Sequence, residues 1–197
     1  GIRQIVVPVD ELQVEGFREN PPDRCYLCKR ALFAAFCRIA AEQDLGTVVE
    51  GSNVDDCGDY RPGMRAIAEL EIRSPLREAG LTKAEIRELS RRLDLPTWDK
   101  PSFACLASRF AYGEEITEEK LAMVEQAEAY LMGLGFRQMR VRIHGRLARV
   151  EVLPEDMDRF LDPALRAAAA AALREMGFLY VTLDLQGYRM GSMNEAL

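Results

Sequence analysis

Two short apolar runs, each followed by a polar loop, constrain the fold of the first half of this chain most strongly. Residues 2–9 and 46–51 are rich in Val and Ile, which is typical of strands buried on both faces of a parallel sheet. Residues 29–43 carry apolar side chains at helical spacing. This alternation of strand and helix predicts an α/β fold with a doubly wound parallel sheet. We expect ligands at the carboxyl ends of its strands, where residues 16–24 and 51–65 lie.

The segments that follow predict one more helix and a second, smaller domain. Thr82 and Glu85 have the spacing of a capping box, so a helix should begin there and end near residue 93. From residue 114 the pattern changes to α-β-β-α-β, which predicts a small α+β domain. We therefore divide the chain into residues 1–113 and 114–197. The predicted elements of the second domain are a helix at 117–132, a hairpin of 137–144 with 147–153, a helix at 163–176 and a strand at 178–185.

Three of the five cysteines fall in segments predicted to be loops near the carboxyl ends of the strands, where we expect ligands. Cys25 and Cys28 form a Cys-x-x-Cys pair, and Cys105 lies in the loop at 96–113. Three thiolates are one ligand short of a closed structural zinc site. They are enough to hold an iron–sulfur cluster with one iron open to chemistry. Nearby cations favour the thiolate form, and here they are Arg24, Lys29 and Arg109.

The other two cysteines leave an alternative open. Cys37 lies on the apolar side of the predicted first helix, so we expect it to be a core residue. Cys57 follows two acidic residues in the loop at 51–65. With Cys57 as a fourth thiol, a four-cysteine zinc site is the alternative to a cluster.

The loop after the second predicted strand carries side chains that suit a nucleotide. Asn53, Asp55 and Asp56 can hydrogen-bond a base or sugar or hold a divalent cation. The same residues are also ordinary turn formers, so a solvated turn is the alternative. Further along, Asp59, Arg61 and Arg65 strengthen the ligand interpretation, because a guanidinium group binds phosphate or carboxylate with a planar fork.

In the second domain, Arg140 and Arg142 alternate along a predicted strand and therefore lie on one face. Two neighbouring guanidinium groups favour an anion between them. The alternative is a solvated sheet face on which Glu151 pairs across the hairpin.

Composition excludes several classes of function. A net charge of −6 argues against general nucleic-acid binding. No apolar run is long enough for a membrane span. An odd number of cysteines fits reactive or metal-binding thiols in a reducing cytoplasm better than a disulfide framework.

Several motifs in order resemble the PP-loop ATP pyrophosphatases, and within them the LarE-type sulfur transferases. The superfamily motifs are Gly-Ser-Asn-x-Asp-Asp at 51–56, Ser-Pro-Leu at 74–76, Leu-Thr-Lys-x-Glu-Ile-Arg at 81–87 and Leu-Pro-x-x-x-Lys-Pro at 95–101. The runs similar to the LarE-type branch are 20–29, 59–65, 103–109 and 180–195. The superfamily's phosphate loop, Ser-Gly-Gly-x-Asp-Ser, is absent from these 197 residues. We expect a preceding segment to hold it.

The resemblance implies a specific activity. Such enzymes use ATP and Mg²⁺ to adenylate a carboxylate of pyridinium-3,5-biscarboxylic acid mononucleotide, with release of pyrophosphate. Sulfur then displaces AMP and leaves a thiocarboxylate, a step toward the nickel-pincer cofactor of lactate racemase. The sulfur would come from a [4Fe-4S] cluster on Cys25, Cys28 and Cys105, or from Cys105 itself as a sacrificial residue. Arg140 and Arg142 would bind the substrate phosphate. The family also implies a homo-oligomer, assembled through the second domain, while composition favours a cytoplasmic protein that binds neither nucleic acid nor membrane.

Two rival functions remain open at this point. One is a PP-loop enzyme that thiolates tRNA, which a basic RNA-binding surface would distinguish. The other is a non-catalytic, zinc-stapled assembly module, which an upstream sequence without the phosphate loop would favour.

Overall fold

The computed structural model describes residues 3–58, 61–100, 104–189 and 191–196. It has a mixed α/β fold with one small sheet, and the chain divides into two compact units, Gly1–Asp99 and Lys100–Leu197. No helix within the described ranges is both long and apolar enough to cross a membrane.

The first unit is built mainly from helices. Helices α1 and α2 pack together around the buried side chains of Phe33, Ile67 and Ile72. At the start of α2, a Cβ on Gly63 would lie 2.7 Å from the Lys29 side chain, so glycine permits the close approach to α1. The helices are α1 (Arg24–Glu42), α2 (Gly63–Glu69), α3 (Pro75–Glu78) and α4 (Lys83–Arg92).

Helix α4 confirms the predicted capping box. The Thr82 hydroxyl accepts a hydrogen bond from the Glu85 N–H, and the Glu85 carboxylate accepts one from the Thr82 N–H at 2.8 Å. Helix α4 ends at Arg92, close to the predicted end.

The predicted strands of the first unit are not observed. Residues 3–9 form no strand, and the run at 46–51 contributes one parallel bridge, between Val49 and Arg73. A strand requires hydrogen-bonded neighbours along its length. In the described part of this unit, that bridge is the only strand pairing. The β-branched side chains of Val6 and Val49 are 82% and 56% exposed.

The second unit confirms the predicted α-β-β-α-β order. Its sheet has the order β1-β2-β3, antiparallel between β1 and β2 and parallel between β2 and β3. The β1–β2 hairpin turns at Gly145, whose φ of +61° favours glycine. The core includes Val124, Leu131 and Leu173, all fully buried. The elements are α5 (Glu118–Gly133), β1 (Met139–His144), β2 (Leu147–Val152), α6 (Pro163–Glu175) and β3 (Tyr180–Leu183).

Candidate functional site

The Cys-x-x-Cys pair lies in a helix, so its predicted placement in a loop is wrong. Helix α1 begins at Arg24 rather than near residue 29, directly after Asp23 at its N-cap, and Asp is a preferred residue at that position. Cys25 and Cys28 are three residues apart in this helix and therefore lie on one face, both half-buried.

Both thiols of the pair have polar neighbours. Nη2 of Arg24 donates to Sγ of Cys25 at 3.5 Å, and the Cys28 thiol donates to the Glu11 carboxylate at 3.3 Å. Arg24 is itself buried, and its Nη1 donates to the side-chain oxygen of Asn20 at 2.6 Å. The guanidinium group of Arg24 is therefore the cation next to Cys25.

Cys105 lies in the second unit, exposed, at the start of a 3₁₀ turn over Leu106–Arg109. Arg109 anchors this turn, since its Nη1 donates to the backbone carbonyls of Ala104 at 2.9 Å and Cys105 at 3.0 Å. The predicted site residue Arg109 is 1% exposed, and in this structure its guanidinium group binds the backbone of the turn.

Glu128 holds Arg109 in place, and sequence reasoning missed it. Its two carboxylate oxygens accept from Nε and Nη2 of Arg109, each at 2.8 Å, and one of them also accepts from the N–H of Val141 at 3.0 Å. The signal was available, because Glu128 interrupts the stripe of buried residues on α5 that includes Val124 and Leu131.

The loop that starts at residue 51 brings three predicted residues together. Oδ2 of Asp56 accepts from the N–H of Asn53 at 2.9 Å, and the Asn53 side chain accepts from the N–H of Asp55 at 3.0 Å. Asp56 also pairs with Arg61 at 2.8 Å, and Asp55 accepts from the N–H of Lys83 at 2.8 Å. These bonds order the loop, which fits both the ligand and the turn interpretations.

Arg65 and Asp59 are the other two residues that were predicted to bind a ligand in this region. Arg65 lies over the ring of Tyr26, with its guanidinium carbon 3.5 Å from the ring centre, and pairs with Asp23 at 3.6 Å. Asp59 lies outside the described residues. Sequence reasoning also missed Glu50, which accepts hydrogen bonds from the hydroxyls of Ser52 and Ser74.

Arg140 and Arg142 are 3% and 5% exposed, so this face is buried rather than solvated. The pairing with Glu151 that the alternative expected is present, between Arg142 and Glu151. Nη2 of Arg142 donates to Glu151 and to the Ser192 hydroxyl, both at 3.0 Å. Its Nη1 donates to the carbonyl of Ser108 at 2.9 Å and so ties β1 to the turn that begins at Cys105.

Arg140 lies among other charged groups of both signs. Burial, together with the nearby charges of Arg109 and Arg142, lowers the pKa of Arg140, while Tyr188 and Glu128 oppose that shift. An arginine stays protonated at any ordinary pH. Arg109 and Arg142 are each paired with a buried carboxylate, that of Glu128 and that of Glu151.

The three cysteines of the predicted cluster belong to both units, so their convergence stays a prediction. Within each unit, the described residues include no group of three His, Cys, Asp or Glu side chains that could hold a metal ion. Cys57, the alternative fourth thiol, is exposed in a 3₁₀ turn over Val54–Gly58.

Comparison with known proteins gives three similarities that span most of this chain and about 70% of each relative. The chain is 44% identical, over all of its 197 residues, to an uncharacterised protein of Synechocystis and covers 74% of it. It is 38% identical to the pyridinium-3,5-bisthiocarboxylic acid mononucleotide synthase of Lactiplantibacillus plantarum, over 96% of this chain and 68% of that one. An uncharacterised protein of Methanocaldococcus jannaschii is 30% identical over 90% of this chain and 69% of its own. No protein-family model matches the sequence.

Proposed function

The chain belongs to the LarE family of sulfur transferases in nickel-pincer cofactor biosynthesis, and from this premise we propose that it converts a carboxylate of pyridinium-3,5-biscarboxylic acid mononucleotide to a thiocarboxylate. The carboxylate attacks ATP, bound with Mg²⁺, and releases pyrophosphate. A sulfur nucleophile then attacks the acyl carbon of the adenylate, and AMP leaves with the C–O electron pair.

One observation in the second unit carries this proposal. The turn that begins at the exposed Cys105 is bonded to Arg142 through the carbonyl of Ser108. A thiol-bearing segment and a group of buried arginine side chains are thereby held in one assembly. Such an assembly suits an anionic substrate whose carboxylate must meet a sulfur atom.

The nucleotide is assigned to the first unit. Asn53, Asp55 and Asp56 would bind ATP or its Mg²⁺, because their oxygens suit hydroxyl groups and hard cations. The arginines near this loop, Arg61 and Arg65, would bind phosphate, and Asp59 completes the proposed set.

Two sources of sulfur are compatible with the chain. A [4Fe-4S] cluster held by Cys25, Cys28 and Cys105 would supply a sulfide at its open iron, and a donor set of three thiols fits such a group. In the other route, the Cys105 thiolate attacks the adenylate and displaces AMP to form a thioester. Loss of the Cα proton to solvent then breaks the Cβ–Sγ bond, so that the electron pair stays on the sulfur of the thiocarboxylate and the residue becomes dehydroalanine.

The finer architecture is also proposed. The exposed apolar side chains of Ile5, Val6, Leu45 and Val49 support a doubly wound PP-loop core whose further strands would cover them. Residues 1–113 would form that ATP pyrophosphatase domain. Residues 114–197 would bind substrate and join copies of a cytoplasmic homo-oligomer.

Anaerobic reconstitution tests the source of sulfur. If the cluster is right, iron and labile sulfide should bind in about equal amounts, Cys25→Ala should abolish binding, and Cys37→Ala should not. A protein that takes up zinc alone under these conditions would contradict the cluster. A mass decrease in the peptide that carries Cys105, after one turnover, would instead support the sacrificial route.

A further inference from the structure

The hairpin of β1 and β2 carries one more arginine on the face of the proposed anion site. The strand register pairs Arg142 with Arg149 and Arg140 with Glu151. Directly paired residues of antiparallel strands lie on the same face of a sheet, and alternation brings the second pair onto that face as well. Arg149 was not among the residues predicted from the sequence.

Glu151 binds two of these guanidinium groups through their Nη2 atoms. One carboxylate oxygen accepts from Arg142 at 3.0 Å and the other from Arg149 at 3.1 Å. Glu151 is fully buried and also accepts from the Ser192 hydroxyl at 3.1 Å. Each guanidinium group is therefore held through its Nη2 atom, which leaves its Nε–H group outside these bonds.

Those two Nε atoms have no hydrogen-bond partner. Among the described residues, Nε of Arg142 and Nε of Arg149 are the buried side-chain nitrogen and oxygen atoms that lack one. The carboxylate of Asp184 is 3.6 Å from Nε of Arg149, which is too long for a hydrogen bond. Buried donors without an acceptor are unfavourable, and two on cross-strand neighbours indicate a site for an absent acceptor.

We propose that Arg149 is a further anion-binding residue, and that it and Arg142 donate their Nε–H groups to one phosphate-type anion. The identity of that anion as the phosphate of the mononucleotide rests on the proposed function. The side chain of Arg149 is 31% exposed and that of Arg142 only 6%, so the anion enters from the side of Arg149. Guanidinium groups outnumber carboxylates on this face, which leaves charge for the anion to neutralise.

Titration with inorganic phosphate, followed by calorimetry, tests this role. Loss of a hydrogen bond to a charged group should weaken phosphate binding by about tenfold or more in Arg149→Met. Arg149→Lys keeps the charge without the Nε–H group and should bind with intermediate affinity. Arg146→Met is the matched control, since Arg146 is an exposed arginine of the same hairpin that donates to the carbonyl of Gly177. It should bind phosphate like the wild type.

The outcomes separate this inference from the proposed function. The inference is overturned if Arg149→Met and Arg149→Lys bind phosphate with the affinity of the wild type. It is also overturned if the wild-type protein binds no phosphate. Thermal unfolding identifies a variant that fails to fold, and Arg149→Lys then carries the test. A third outcome is that the Arg149 variants lose affinity for phosphate, but the wild type binds the pyridinium mononucleotide no better than the nucleoside without its phosphate. In that case the anion site is confirmed and the proposed substrate is wrong.

Discussion

The buried pair of Arg109 and Glu128 gives the sharpest prediction about stability. Glu128→Gln keeps the shape of the side chain and removes its charge. The two side chains are 1% and 9% exposed, so the Arg109 charge would stay buried without its counter-ion. Breaking a buried ion pair from one side costs about 3–5 kcal/mol. We therefore expect the free energy of unfolding to fall by about 3 kcal/mol or more.

Urea denaturation followed by circular dichroism measures that change, and exchange of the Val141 amide hydrogen localises it. That amide donates to Glu128, so its protection should fall as well. Glu88→Gln is the matched control, because Glu88 pairs with Arg91 and Arg92 on the surface of α4. An exposed pair contributes about 0–1 kcal/mol.

A double variant separates the cost of an unpaired buried charge from the cost of burying the ion pair of Arg109 and Glu128. Arg109→Met with Glu128→Met removes both charges, and replacing a buried pair by apolar groups is often neutral. It should be more stable than Glu128→Gln alone. If Glu128→Gln costs no more than Glu88→Gln, the pair does not anchor the turn that begins at Cys105 and the reasoning fails.

Three further changes test the fold. Thr82→Ala should lower the free energy of unfolding by about 1 kcal/mol through loss of the α4 cap, and Thr82→Ser should restore it. Phe33→Ala should cost about 3–5 kcal/mol in the core of the first unit, whereas Leu93→Ala, at a position 71% exposed, should stay within about 0.5 kcal/mol; equal losses in urea denaturation would refute the assigned core. Burial, then the charge of Arg149, lowers the pKa of His144 from its ordinary 6.5. The unfolded chain therefore binds more protons below about pH 6.5, so stability should fall as the pH drops through that value. His144→Gln should remove this dependence, and an unchanged pH profile of the melting temperature would contradict it.

The sequence predicted the second unit well because its signals are local. Alternation and a two-residue turn at Gly145 define the hairpin, and the predicted helices follow their caps and periodicity. The strands of the first unit were not observed, since pairing depends on neighbours that a local pattern does not specify. The start of α1 was missed because Asp23, its N-cap, was assigned to the polar loop of residues 16–24.

The site residues also divide into those that a local pattern predicts and those that depend on tertiary contacts. Arg140 and Arg142 could be assigned to one face from alternation alone. Glu128 and Arg149 acquire their roles only when strands and helices are brought together, as the bonds of Glu128 to Arg109 and of Glu151 to Arg149 show.

The product that the protein forms tests the proposed sulfur transfer directly. Incubated anaerobically with ATP, Mg²⁺ and pyridinium-3,5-biscarboxylic acid mononucleotide, the protein should form AMP, pyrophosphate and a product in which sulfur replaces a carboxylate oxygen, all identified by mass spectrometry. Cys105→Ala should abolish the thiocarboxylate. The proposed function would be contradicted if the mononucleotide stays unchanged while the protein thiolates tRNA with ATP or only binds zinc.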